Sequence, residues 1–120
     1  MPVRYFSDRI VVYKEGDTFI AVSLNFDLIA EADRFQLALK RLEDAIKGYL
    51  LVCVEDKEPD EKIYRSAPKK YQEKFSLSAE LPKIMTSKKR NVLEKKQKDL
   101  LKQQPQAIVR TFDSRTLAHA

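Results

Sequence analysis

The sequence predicts an α+β fold: a three-stranded antiparallel sheet, ordered β-β-β-α along the chain, packed on one amphipathic helix and followed by a helical C-terminal extension. Three observations predict it. Between Phe19 and Tyr49 the apolar period changes from two, that of a strand, to the three-and-four spacing of a helix. Gly16, one of only two glycines, lies between two apolar runs where a tight hairpin demands a positive φ. Apolar residues make up 43% of a 120-residue chain, enough for one modest core and too few for two independent ones.

Asp8 to Tyr13 reads as the first strand, with Ile10 and Val12 on one face and Val11 and Tyr13 on the other. Glu15-Gly16-Asp17 is the turn, and Thr18 to Asn25 is the second strand, in which Ile20, Val22 and Leu24 alternate with Phe19, Ala21 and Ser23. Leu28 to Ala32 supplies the third. Asp33 is placed to cap the following helix, because its carboxylate can accept hydrogen bonds from the free amides of the first turn. That helix is expected from Arg34 to about Val54, with Phe35, Ala38, Leu39, Leu42, Ala45, Ile46, Tyr49, Leu50 and Cys53 on its apolar face.

Glu55 to Lys62, dense in charge and carrying Pro59, reads as a solvated linker. Ile63 and Tyr64 resume an extended path. Ser66 and Pro68 then open a second helix, which docks Tyr71 and Phe75 on the core and closes at Pro82. Thr86 or Ser87 to Gln104 favours a further helix with one narrow apolar stripe of Val92, Leu93, Leu100 and Leu101. Ala107 to Phe112 has strand-like content, and Asp113 to Ala120 reads as a frayed tail. The chain thus divides into a β-β-β-α domain over 1–54, an acidic linker and short helix packed on the core over 55–82, and a basic helical extension with its tail over 83–120.

The net charge of +5 conceals an asymmetry. Residues 1–82 hold 13 Lys and Arg against 15 Asp and Glu, whereas residues 83–120 hold 10 against 3. A segment that basic can follow phosphate backbones through Lys88, Lys89, Arg90, Lys95, Lys96, Lys98 and Lys102. No aromatic residues interleave with these lysines, so the pattern offers charge without base stacking. No apolar run reaches the roughly 20 residues that cross a bilayer, and the first seven residues lack a signal-peptide core, so a cytoplasmic protein without a membrane partner is expected.

Converging catalytic groups are not evident. The lone Cys53 falls on the apolar helix face and reads as a core thiol, and His119 stands next to the last residue. Asp27, Glu31 and Asp33 form the one acidic cluster near a strand end, a residue set able in principle to hold Mg²⁺ or exchange protons. A turn, an outward strand position and a helix cap account for the three. With no glycine-rich phosphate loop and no Cys/His metal spacing, no cofactor is expected and the chain reads as non-enzymatic.

The segment from about residue 8 to 54 resembles the HicB-like family of antitoxin-type proteins. The resemblance rests on Ala21-Val22-Ser23-Leu24, on Phe26-Asp27-Leu28-Ile29-Ala30, and on Ala38-Leu39, Leu42, Ala45-Ile46 and Tyr49-Leu50. Tyr64-Arg65-Ser66-Ala67-Pro68, with Tyr71 and Phe75, looks like a downstream segment of stand-alone relatives. This chain has Ala32 and Arg34 where the family commonly has Gly and then Thr or Ser. The resemblance implies a degenerate RNase H or double-stranded-RNA-binding-like layer without catalytic residues, which in antitoxins covers a small basic HicA-like, mRNA-cleaving toxin. Family members then carry a helix-turn-helix or ribbon-helix-helix module for operator DNA, and residues 83–120 match neither.

Together these observations predict a HicB-like antitoxin or regulatory protein that acts through protein contacts. A sheet covered by one helix leaves a bare face and open edges, so a homo-oligomer is expected, with Tyr13, Phe19 and Ala21 as the exposed-face contacts. The alternative is a nucleic-acid-binding protein that uses the basic C-terminal helix.

Overall fold

The computed structural model describes residues 3–86 and 103–117, with side chains over 3–78 and 103–117. Strand β1 (Tyr5–Glu15) and strand β2 (Thr18–Ser23) form a hairpin, and β3 (Leu28–Ala32) pairs with β2. Helix α1 (Phe35–Glu55) follows, then the single turn α2 (Asp60–Ile63) and the helix α3 (Lys69–Thr86). Strand β4 (Gln106–Asp113) and the turn α4 (Ser114–Leu117) complete the described elements.

The expected three-stranded sheet is in fact four-stranded and antiparallel, ordered β3-β2-β1-β4. The strand-like residues beyond Pro105 do not belong to a helical extension: they pair along β1 from Tyr5↔Asp113 to Val12↔Gln106. β1 is therefore central, which explains why it extends beyond the expected Asp8 to Tyr13 at both ends. The hairpin turn places Gly16 at φ 62° and leaves Asp17 out of the left-handed region, the pattern of a II′ turn with glycine first.

Both faces of this sheet are covered. On one, Phe6, Ile10, Val12 and Ala21 meet Ala38, Leu39, Leu42, Ile46, Leu50 and Cys53 of α1 in the main core. On the other, Val11, Tyr13, Val22 and Leu24 meet Ala67, with Tyr71 and Phe75 of α3 packed against them. Each fully buried large apolar side chain contributes about 1.5–3 kcal/mol, so the six buried positions of α1 dominate its stability over intrinsic helix propensity.

α1 begins differently from expectation. Its cap position is Arg34, in extended conformation and with no side-chain hydrogen bond, while Asp33 lies one residue earlier and points its carboxylate toward Arg34. Its end is well defined. The Glu58 N–H donates to Cys53 O and the Lys57 N–H to Val54 O, with Lys57 at φ 54°: the paired bonds of a Schellman stop, with a lysine in the position glycine usually takes. The charged stretch expected to be a solvated linker is therefore this stop followed by α2, whose Ile63 is fully buried.

Beyond α2 the chain runs extended along the sheet corner, where the Arg65 N–H donates to Asn25 O and the Ala67 N–H to Leu24 O. Tyr64 stacks on Phe26, with ring centroids 5.1 Å apart. Pro68 precedes the first residue of α3 and its carbonyl accepts the Tyr71 N–H, and the helix runs through Pro82 to Thr86 instead of closing there. The expected frayed tail is likewise ordered at its start. Asp113 Oδ1 accepts the N–H groups of Arg115 and Thr116, capping α4, and Leu117 is 1% exposed in the main core. Of the helix expected from Thr86 or Ser87 to Gln104, residues 87–102 lie outside the described residues, as does His119, while Gln103 lies in a turn and Gln104 takes φ 50°, so neither continues a helix.

Candidate functional site

The side chains expected to form an exposed contact face do not share one. Cross-strand pairing sets Ala21 opposite Val12 and Phe19 opposite Lys14, but Tyr13 opposite Ile20, so Phe19 and Ala21 face α1 and Tyr13 faces α3. Ala21 is fully buried, and Phe19 meets Phe35 edge-on at 6.2 Å. Tyr13 is 5% exposed, 6.5 Å from the Tyr71 ring and beneath the Lys74 ammonium, which stands 4.7 Å from its centroid. Burial pushes the Tyr13 hydroxyl up to about 12, with Tyr71 and Glu15 adding to the effect. Desolvation lowers the Lys74 ammonium. These three residues hold layers together and offer nothing to solvent as a group.

The acidic trio does not converge either. Asp27 occupies a left-handed turn position at φ 56°, Asp33 lies beside Arg34 at 3.7 Å, and Glu31 extends from β3 on the α3 side. Among the described residues no group of three or more His, Cys, Asp or Glu is arranged to hold a metal ion. Cys53 is a buried free thiol, as its place on the helix predicts. It lines a recess of about 420 Å³ together with Tyr49, Val52, Asp56, Glu58, Glu61, Lys62 and Arg65. The Tyr49 hydroxyl donates to Ile63 O, so it ties α1 to α2 and is not free to serve the recess.

One buried acid escaped the sequence reading. Asp8 is fully buried and follows the same parity as Phe6, Ile10 and Val12, which places it in the apolar layer beneath α1. Burial raises its carboxyl above the ordinary carboxylate value, against lowering by Ser23 and by the backbone amides of Asn25 and Arg9. Around it the corner is knit together. The Arg9 Nε–H donates to Asn25 Oδ1, and the Asn25 side-chain amide donates to Ser7 O. An acid in an otherwise apolar alternating register was the available signal.

Among the described residues, the open part of the sheet is its β4 edge. The Ser114 N–H donates to Arg4 O, so even-numbered residues of β1 bond the even-numbered residues of β4. The main-chain groups of Ala107, Val109 and Thr111 then point away from the sheet. All three residues are exposed, Val109 to 62%, and the strand contains neither proline nor lysine. The opposite edge is shorter and partly closed. On β3 the outward residues are Ile29 and Glu31, and Arg41 of α1 donates to the Glu31 carbonyl at 2.9 Å. Charged side chains and capped carbonyls are the usual protection of edges, and among the described residues Arg110 is what supplies it on β4. Arg110 is held on the α1 side by Glu43 at 2.9 Å, with one long contact to Val109 O at 3.5 Å.

Lys88, Lys89, Arg90, Lys95, Lys96, Lys98 and Lys102, expected as a phosphate-tracking surface, lie outside the described residues. No helix among the described residues is long and apolar enough to cross a membrane. The class defined by this geometry is an α+β domain with a four-stranded antiparallel sheet between helices. No family model, curated protein or solved structure matches the chain.

Proposed function

We propose that this chain is a non-enzymatic binding protein that works through protein contacts, in the manner of a HicB-like antitoxin or regulatory protein. One observation carries the reading: the eight-residue edge strand β4, whose exposed outward residues Ala107, Val109 and Thr111 turn main-chain groups away from the sheet, where among the described residues only the Val109 carbonyl has a partner, a 3.5 Å contact from Arg110. Strand addition to such an edge gives affinity from backbone hydrogen bonds and selectivity from alternate side chains. The sheet faces support this by default, since α1 and α3 already occupy them. Phe19, Ala21 and Tyr13 then act as scaffold.

The specific form of the proposal is an antitoxin-like role in the cytoplasm with a small basic HicA-like partner. A gene neighbourhood with a short adjacent reading frame for a basic protein, and its co-purification with the tagged chain, are the expected results. If the gene stands alone and co-purification yields no small basic protein, the antitoxin form is wrong. The second reading, nucleic-acid binding, is favoured by the 10 basic against 3 acidic residues over 83–120. Titration against duplex DNA and RNA at two salt concentrations tests it, because phosphate contacts give an affinity that falls steeply with salt.

A further inference from the structure

We propose that β4 is a self-pairing strand: it joins the β4 of a second copy, antiparallel about a two-fold axis at Val109, so that two four-stranded sheets become one of eight. The inference rests on the reading of the chain as a protein-contact module and names the occupant of its open edge.

The choice of a second copy follows from how few registers the strand permits. Two outward-facing edges pair only where outward residues meet outward residues, so Ala107, Val109 and Thr111 must oppose members of the same set. Centred on Val109, Val109 meets Val109 and Ala107 meets Thr111 twice over, and each such pair exchanges two main-chain hydrogen bonds once the Val109 carbonyl gives up its 3.5 Å contact with Arg110. Arg110 then lies opposite Ile108, and no like charges face one another. Shifting the centre to Arg110 sets two guanidinium groups face to face. Shifting it to Ile108 brings Pro105, which has no N–H, opposite Thr111. Of the registers centred on Ile108, Val109 and Arg110, the one on Val109 avoids paired guanidinium groups and leaves Pro105 opposite only the last residue, Asp113, so the strand is complementary to itself there, as an isologous two-fold contact requires. The β3 edge competes poorly, because it is five residues long with only Ile29 and Glu31 facing outward, and the Arg41 contact on its Glu31 carbonyl, at 2.9 Å, is tighter than the 3.5 Å contact of Arg110 on Val109.

The test uses the full chain in solution. Light scattering coupled to gel filtration is expected to give a dimer mass that dissociates on dilution. Val109→Lys places two ammonium groups opposite each other at an exposed position, and is expected to raise the concentration of half-dissociation roughly tenfold or more, with a melting temperature unchanged at dilutions where both proteins are monomeric. Register is read by cysteines. The Cα atoms of directly opposed residues in a hydrogen-bonded pair stand about 5.5 Å apart, within disulfide range, so Val109→Cys crosslinks two chains on mild oxidation. Ala107→Cys does not, and the unsubstituted protein, with Cys53 buried, serves as the blank. A monomer at every concentration, a dimer indifferent to Val109→Lys, or equal crosslinking through position 107 overturns the proposal. If a monomeric protein still captures a basic partner, and Val109→Lys abolishes that capture, self-pairing falls while the protein-contact reading stands.

Discussion

Asp8 Oδ1 accepts the backbone N–H of Asn25 at 3.0 Å, while the other oxygen of the same carboxyl, Oδ2, is buried with no donor among the described residues. The strand β1 thereby holds the corner that follows β2, at the expense of an acid in the apolar layer. A buried polar atom without a partner is costly, and more so when charged.

The pH dependence follows from the sign of the shift. Burial raises the folded-state carboxyl of Asp8 above 3.8, so its contribution to stability is fully present below about pH 3.8 and is lost as pH rises through the folded value. Asp8→Asn, which keeps an acceptor for Asn25 and cannot ionise, is expected to gain on the wild type as pH rises from 4 to 7. Urea unfolding of both proteins at several pH values measures the difference. A gap independent of pH would show that Asp8 is ionised at no cost.

Three backbone substitutions have predictable signs. Gly16→Ala forces a Cβ into a left-handed position and is expected to cost about 1–2 kcal/mol although no atom crowds the site. Gly48→Ala, in the exposed middle of α1 with open space around the new methyl, is expected to stabilise by roughly 0.5–1 kcal/mol. Lys57→Gly relieves the left-handed lysine of the helix stop and is expected to stabilise by up to about 1 kcal/mol. Thermal or urea unfolding orders the three against wild type.

Leu117 tests whether the segment after β4 belongs to the core. At 1% exposure, its truncation to Ala is expected to cost roughly 2–5 kcal/mol, comparable to Leu42→Ala in the middle of α1. Val52→Ala, at a position 55% exposed, is expected to change stability by less than about 0.5 kcal/mol.

Tyr13 should reveal its burial on alkaline titration. Its hydroxyl ionises at about 12, raised from 10, so the stability it contributes is present below pH 10 and lost as pH rises through about 12. Absorbance of tyrosinate is expected to show a late step that Tyr13→Phe removes. Loss of an ordinary step near pH 10 in Tyr13→Phe would contradict the burial of this ring under α3.

Much of the fold was legible in the sequence, and the failures have physical causes. The turn at Gly16, the bounds Leu28 to Ala32 and the apolar stripe of α1 were readable because each is a local pattern. Which face of the sheet α1 covers was not, since Phe19 and Ala21 are as apolar as Ile20, Val22 and Leu24 and both faces are buried. The fourth strand was visible as strand-like residues but not as a partner of β1, because pairing across roughly a hundred positions leaves no local trace. Asp33 satisfied the composition of a helix cap while the chain turned one residue later, and the cap that does form, Asp113 ahead of α4, was hidden in an apparent tail. For the open edge, sequence supplied the residues and only the topology supplied their exposure.

The bond between Arg4 and Ser114 spans 110 positions and has a consequence for how the chain is made. A ribosome releasing this chain from its N-terminus delivers β1, β2, β3 and α1 long before residues 106–113 emerge. The nascent domain is a three-stranded sheet whose future centre, β1, is for that interval an outer strand. Joining β4 to it must await a large loop closure, a slow step relative to hairpin and helix formation. Until then the vulnerable edge of the molecule is β1, and completing synthesis moves that vulnerability outward to β4.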